Sequence, residues 1–379
     1  MPLTPTIAMV AGETSGDLLA GLLLDGLSAR WPGLQSCGIG GPQMARRGFA
    51  AWWPSDKLAV RGYVEVLRHY REIVGIREQI KQRLLHDRPD VFIGVDAPDF
   101  NLALERDLKS AGVKTAHFVC PSIWAWRAER VHKIKASVDH VLCIFPFEVE
   151  LLARHGIAAT YVGHPFANVI PMTPDRVAAR AVLGLGVDDQ VVAILPGSRR
   201  SEIQYLAERF FRAAALMRRQ QPRLKFVVPA IPALRAAIER AAHAAGMSGL
   251  QIVDGQSHAV LAACDVTLIA SGTATLEAAL FKRPMVIAYK MNWLTYELMT
   301  RKHLQPWVGL PNILCRDFVV PELLQNEATP EKLAAATLRW LGAPERVAAL
   351  ERTFTALHAE LQRDTPRLAA DAIAQVLAG

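Results

Sequence analysis

The hydrophobic positions of this 379-residue chain fall into short unbroken runs separated by stretches of helical spacing. The runs at 6–11, 90–95, 114–119 and 138–145 are continuous rather than alternating. That is the pattern of strands buried on both faces of a parallel sheet. Helices are expected over 18–29, 57–86, from Asn101 to about Ala111, around Arg130 to Lys135, and from Pro146 to about Gly156. A short strand at 34–37 leads into a Gly-rich turn, Gly38 to Pro42, and Thr160 to Pro165 closes the series. Strand and helix alternate throughout, which predicts a doubly wound parallel sheet.

Three prolines between Pro165 and Pro174 mark a linker. A second series follows, with apolar runs at 191–195, 225–228, 251–253, 266–270 and 285–288 and helical spacing at 202–219, 233–245, 258–263 and 274–281. From Thr329 onward the pattern is helical and rich in Ala and Leu. The expected organisation is an N-terminal α/β domain at 1–168, a second α/β domain at 169–342, and C-terminal helices at 343–379 that pack back on the first domain or on a partner subunit.

Composition changes this picture little. With 51% hydrophobic and 21% charged residues the chain is globular, with core enough for two domains. The net charge of +7 suits an acidic partner: nucleic acid, a phosphorylated substrate or an anionic membrane. No aromatic/basic stripe of the single-strand-binding kind is present. The five cysteines are scattered and odd in number, which reads as buried thiols in a reducing compartment rather than a disulfide frame or zinc site. The first residues lack a signal-peptide pattern, and no charge-free run reaches the roughly 20 residues of a spanning helix. Any membrane contact is therefore expected to be peripheral, from the cytoplasmic side.

Candidate chemistry sits where strands end. Val191 to Leu195 runs into Pro196-Gly197-Ser198-Arg199-Arg200 and then a helix, so free N–H groups and two guanidiniums are available to a phosphate. The alternative is an ordinary turn with solvated arginines. Ser271-Gly272-Thr273 opens a helix in the same way, with Glu277 placed to accept from ribose hydroxyls, and Asp254-Gly255 ends a third strand. Three such turns in one domain favour a shared nucleotide crevice. In the first half, Gly12-Glu13-Thr14-Ser15-Gly16-Asp17 follows the first strand, with Ser15 or Asp17 placed to cap the next helix. Asp96 and Asp99 follow another strand; Asp99 is expected to cap its helix, which leaves Asp96 as the general-base candidate. Stretch 57–77 mixes apolar residues with arginines behind Trp52 and Trp53, and reads either as a helix packed on the sheet or as an interfacial helix.

Two such domains resemble the two-domain GT-B glycosyltransferases, Rossmann-like halves facing across a cleft. The strings Gly12-Glu-Thr-Ser-Gly-Asp17, Asp96-Ala-Pro-Asp-Phe-Asn101, Pro121-Ser-Ile-Trp-Ala-Trp-Arg127, Leu195-Pro-Gly-Ser-Arg199, Ala270-Ser-Gly-Thr-Ala274 with Glu277, and Leu310-Pro-Asn-Ile-Leu314 occur in this order. As an ordered set they are similar to the lipid-A-disaccharide synthase family. The resemblance implies an inverting transfer from UDP-2,3-diacylglucosamine to 2,3-diacylglucosamine 1-phosphate, giving a β(1→6) disaccharide 1-phosphate and UDP, with no cofactor and no nucleotide-bound metal. It implies Asp96 as base on the acceptor 6-hydroxyl and Arg199 at the UDP diphosphate with Gly197, Ser198 and Asn312. Ser271, Gly272, Thr273 and Glu277 would hold the nucleotide, and Gly12, Glu13, Ser15 and Gly16 the acceptor or transferred sugar. Acylated substrates tilt 57–77 toward membrane contact, through Val64, Leu67, Arg68, Tyr70 and Ile73 on an anionic inner leaflet. The family also implies a possible homodimer with an exchanged C-terminal region, in which Asn312 serves a partner's site. The alternatives are another UDP-sugar glycosyltransferase or 2-epimerase, and a catalytically silent binding protein.

Overall fold

A computed structural model describes residues 4–12, 14–54, 58, 63–125, 128–292 and 304–379. The chain forms two compact units, one of residues 1–165 with 361–379 and one of residues 166–360.

The first unit is a seven-stranded sheet in the order β3-β2-β1-β4-β5-β6-β7. Its strands are β1 (Thr6–Ala11), β2 (Gln35–Gly40), β3 (Ala50–Pro54), β4 (Val91–Val95), β5 (Lys114–Phe118), β6 (His140–Cys143) and β7 (Ala159–Tyr161). All neighbours pair in parallel. The crossovers are α1 (Thr14–Arg30), α2 (Pro42–Ala45), α3 (Tyr63–Asp87), α4 (Pro98–Ser110), α5 (Arg130–Ser137) and α6 (Pro146–Ala153). The unbroken apolar runs became strands because both faces are covered: every residue of β4 is buried. Two elements depart from expectation. β2 continues through Gly38, because a glycine there at φ 135° lets the backbone close on Met9, whose carbonyl oxygen would lie 2.1 Å from a Cβ. β3, with Trp52 and Trp53, is an edge strand whose apolar run carries no alternation; Pro54 ends it, as edges allow.

The second unit is a six-stranded sheet in the order β10-β9-β8-β11-β12-β13, again all parallel. Its strands are β8 (Val191–Leu195), β9 (Lys225–Ala230), β10 (Gln251–Asp254), β11 (Val266–Ala270), β12 (Met285–Tyr289) and β13 (Glu322–Leu324). Its helices are α7 (Phe166–Val169), α8 (Arg176–Val182), α9 (Arg200–Glu202), α10 (Glu208–Gln220), α11 (Arg235–Ala244), α12 (Ser257–Ala263), α13 (Thr273–Leu280), α14 (Leu310–Cys315), α15 (Pro330–Leu341) and α16 (Pro344–Leu361). A π-helical turn, Ile203–Ala207, joins α9 to α10, so the helix expected over 202–219 is interrupted close to the candidate phosphate turn. The last helix, α17 (Thr365–Ala378), belongs to the first unit and packs on α1.

All five cysteines are free thiols, three of them buried. Among the described residues no helix is long and apolar enough to cross a membrane. The Pro121-to-Trp124 string forms a corner in which Pro121 and Ile123 are buried and Trp124 is half-buried. Trp124 Nε1 donates to Glu148 Oε1 at 2.9 Å, the Phe145 N–H donates to Oε2 at 3.1 Å, and the Trp124 ring meets Phe145 and Phe147 edge-on. Burial pushes the Glu148 carboxyl up to about 8.

Two outcomes follow from this packing. Gly26 on α1 lies so close to α17 that a Cβ would sit 1.9 Å from the Pro366 carbonyl oxygen. Helix propensity favours Gly26→Ala by about 1 kcal/mol. Overpacking against rigid backbone costs about 1–3 kcal/mol or more, so the variant should unfold at lower urea in the first unit's transition. An unchanged or raised midpoint would show that α17 does not pack there. Glu148 keeps its proton when folded and loses it on unfolding, so its contribution to stability falls as pH rises from about 4.5 to about 8. Glu148→Gln should flatten that slope in urea titrations across this range.

Candidate active site

In each sheet the strand order reverses once, between β1 and β4 in the first unit and between β8 and β11 in the second. Loops leaving the carboxyl ends of the strands diverge at such a point, and open α/β sheets bind ligands there. Ala11 is opposite Val95, and Leu195 is opposite Ile269. The loops that begin at Gly12 and Asp96 are therefore side by side, as are those that begin at Pro196 and Ser271.

Asp96 is half-buried at the end of β4 and adopts φ 52°; Ala97 adopts φ 43°. Two consecutive left-handed residues with side chains cost roughly 1–3 kcal/mol each. The turn is held from both sides. The Asp96 N–H donates to the Phe118 carbonyl at 2.9 Å, and the Asp96 carbonyl accepts from Asn101 Nδ2 at 2.8 Å. Gly12 is buried against this turn; a Cβ there would come within 2.9 Å of Ala97 Cβ.

Behind the turn lies a polar cluster with no counterpart in the sequence reading. Glu105 on α4 and His117 on β5 are fully buried, with His117 Nδ1 2.7 Å from Glu105 Oε1. Burial works against the imidazolium, but the charge and hydrogen bond of Glu105, with a further push from Asp96, raise His117. Burial raises Glu105 and His117 opposes it. Spacing alone conceals this pair, because its partners come from different elements. Gly94 hints at it: a Cβ would lie 2.2 Å from Glu105 Oε1.

The other first-unit expectations divide. Gly16 is buried and Ser15 exposed in the first turn of α1, and Glu13 lies outside the described residues. Asp17 does not cap α1. It sits inside that helix and accepts from the N–H groups of Gly41, Gln43 and Met44 at 2.9, 2.8 and 3.1 Å, capping α2 instead. Asp99 does not cap α4 either. Ala97 is the cap residue, and Asp99 points outward to pair with Arg130. Of the residues expected at a membrane, Val64, Leu67, Arg68 and Tyr70 lie on α3 with side chains outside the description. Ile73 packs against the core of Ile76, Ile80 and Leu84 with Trp52 and Trp53.

In the second unit the phosphate turn is occupied from within. Gly197 adopts φ 130°, and the N–H groups of Ser198 and Arg199 donate to Glu202 Oε2 at 2.8 and 3.2 Å. These donors were expected to be free. They are not, because the helix start attracts the nearest anion, and Glu202 is three residues in. The Arg199 guanidinium remains 59% exposed, with a long 3.3 Å contact to Glu202 Oε1. Tyr289, at the end of β12, is near enough to both for their charges to act on its phenol, which burial raises.

Across the switch point, Ser271 donates through its N–H to Ala288 O at 2.9 Å and through Oγ to Val308 O at 3.3 Å. Gly272, with open space at its Cβ position, precedes Thr273 at the start of α13. Glu277 pairs with His258 Nε2 of α12 at 3.0 Å, a partner that the sequence placed on another helix. Asn312 is fully buried. Its Nδ2 donates to Val320 O at 2.9 Å and Glu322 Oε1 at 2.8 Å, and its Oδ1 accepts from the Val320 N–H at 3.0 Å. Glu322 in turn accepts from the N–H groups of Val308 and Gly309 at 2.9 and 2.8 Å. Asn312 therefore braces the turn beside Ser271 and does not present its amide. No cluster of metal-type side chains occurs among the described residues.

The architecture is shared with solved structures of low identity. A UDP-GlcNAc 2-epimerase from Neisseria meningitidis bound to UDP-GlcNAc matches with a TM-score of 0.62 at 11% identity, over 98% of this chain and 99% of that one. The glycotransferase of kitacinnamycin matches at 0.60 with 16% identity, over 99% and 100%. These likenesses place the fold among two-domain Rossmann-like proteins of the GT-B kind. The sequence goes further. The family model described as lipid-A-disaccharide synthetase matches residues 7–375. The lipid-A-disaccharide synthase of Albidiferax ferrireducens is 73% identical over 379 residues, covering 98% of this chain and 97% of its own. The chain belongs to the lipid-A-disaccharide synthase family of glycosyltransferases.

Proposed function

We propose that this protein transfers the 2,3-diacylglucosaminyl group of UDP-2,3-diacylglucosamine to the 6-hydroxyl of 2,3-diacylglucosamine 1-phosphate with inversion. The products are the β(1→6)-linked tetraacyl disaccharide 1-phosphate and UDP. The observation that carries the reading is the grouping of candidate residues at the two switch points: Gly12 and Asp96 at one, the 197–199 turn and Ser271 to Thr273 at the other. Inversion needs one displacement. The Asp96 carboxylate takes the proton of the acceptor 6-hydroxyl as that oxygen bonds to the sugar C1. The C1–oxygen bond to the diphosphate breaks, and UDP leaves with the electron pair. The charge that develops on the diphosphate is met by Arg199, whose long contact with Glu202 is weak enough to yield to a doubly charged ligand. Glu277, fixed by His258, accepts from the ribose hydroxyls, and Asn312 acts through Glu322 on the neighbouring turn. The acyl chains and the +7 charge favour peripheral work at an anionic inner leaflet. Within α3 only the first turns are candidates for lipid, since Ile76, Ile80 and Leu84 are committed to the core.

The decisive assay supplies both diacyl sugars to the pure protein and follows UDP release and disaccharide formation. Absence of both products, or equal turnover of UDP-GlcNAc lacking acyl chains, overturns the reading. Asp96→Asn should lose about 10²–10⁴-fold in kcat while UDP still shifts the melting temperature. Near-normal kcat would remove Asp96 as base. Arg199→Ala should lose about 10²–10³-fold in kcat, the effect of deleting one donor aimed at developing charge. Its loss should appear in kcat/KM for the UDP-sugar.

A further inference from the structure

The αL turn at Asp96 and Ala97 persists only if its surroundings over-determine it, and the residues that do so stand apart from every assigned role. Asn101 is fully buried, and its single amide group reaches three carbonyls: Val10 at 3.2 Å, Val95 at 3.5 Å and Asp96 at 2.8 Å. The first belongs to β1 and the others to the end of β4, so one side chain ties together both strands of the switch point. One turn further along α4, Glu105 faces the same strand end, with Gly94 leaving room for its carboxylate. It binds His117 of the next strand at 2.7 Å. Asn101 Oδ1, Glu105 Oε2 and His117 Nε2 are buried without a protein partner among the described residues. Three such atoms in one place, with an enclosed acid–imidazole pair, are more than packing needs. An apolar layer would serve a sheet at least as well.

We propose that Asn101, backed by the Glu105–His117 pair, is the positioning group that aims the Asp96 carboxylate at the acceptor hydroxyl. None of the three touches substrate. Asn101 fixes the carbonyl of Asp96 and the ends of β1 and β4. Glu105 and His117 lock α4 to β5 beneath it, so the turn cannot relax toward an unstrained conformation that would swing the carboxylate away. The charged groups that face this cluster are Asp96 from the turn, Glu105 from α4 and His117 from β5; the Asp99–Arg130 pair lies outside it on the surface. This inference rests on Asp96 being the base.

The test separates aim from mere folding. Transfer is compared for the natural acceptor and for one carrying a thiol in place of the 6-hydroxyl. A thiol ionises unaided near pH 8.5 and needs no base, while every other requirement of the site is unchanged. Asn101→Ala and Glu105→Gln should each lose transfer to the hydroxyl acceptor, by as much as about 10²-fold for Asn101→Ala, as a displacement near 1 Å does. Both should keep the wild-type rate with the thiol acceptor and an unchanged KM for the UDP-sugar. If Asn101→Ala does not fold, Glu105→Gln alone decides. Equal losses on both acceptors make the cluster structural and overturn the proposal, as does hydroxyl transfer within twofold of wild type in both variants. Asp96→Asn is the control. If it loses hydroxyl transfer selectively and the other two do not, the positioning role fails and the base stands. If it shows no selective loss, the base assignment itself fails.

Discussion

A parallel strand is reached only by a crossover over one face of its sheet, and both sheets here are wholly parallel. β1 and β8 each lie where successive crossovers change direction, so the loops leaving them part from those leaving β4 and β11. Loops that part in this way leave a crevice at the carboxyl ends, where open α/β sheets bind ligands. Strands such as β4 and β8, buried on both faces, supply rigidity without chemistry. Asp96 stands one position past β4 and Arg199 four positions past β8, in loops anchored by those strands.

The second recurring constraint is the demand of helix starts for anions. Free N–H groups at a helix N-terminus attract the nearest carboxylate, and the protein supplies one where no ligand does. Asp17 serves α2, not the helix that contains it, and Glu202 closes on Ser198 and Arg199 at the phosphate turn. On the proposed function, a nucleotide diphosphate would meet a turn already shaped around a carboxylate. The turn would then be a preorganised anion site whose internal competitor is Glu202. Asn312 follows the same logic one step removed, its amide spent on Val320 and Glu322 so that Glu322 can hold the turn beside Ser271.

Local order along the chain carried much of the organisation. The continuous runs at 6–11, 90–95, 191–195 and 266–270 are strands because each is too short for a helix and is buried on both faces of its sheet. The motifs at 12–17, 96–101, 197–199 and 271–273 were legible because each follows such a run. Less was legible where a short segment depends on a neighbour. β3 and β13 are edge strands of five and three residues, and nothing local marks them. Nor does the helical tail announce that α16 stays with the second unit while α17 joins the first.

The sequence by itself determined the alternation of elements, the two α/β halves and the family, and it set Asp96 and Arg199 in the loops that follow β4 and β8. These follow from period and adjacency, which a linear string records. Only the tertiary structure decided which carboxylate caps which helix, that Asp99 faces Arg130 and not its own helix start, and that Asn312 is spent internally. It alone joined Glu105 to His117 and Asn101 to Val10 behind the Asp96 turn. The physical reason is that hydrogen bonds and ion pairs are chosen by distance in space. The groups that fix this turn meet across β1, β4, α4 and β5, where spacing in the chain carries no information about contact.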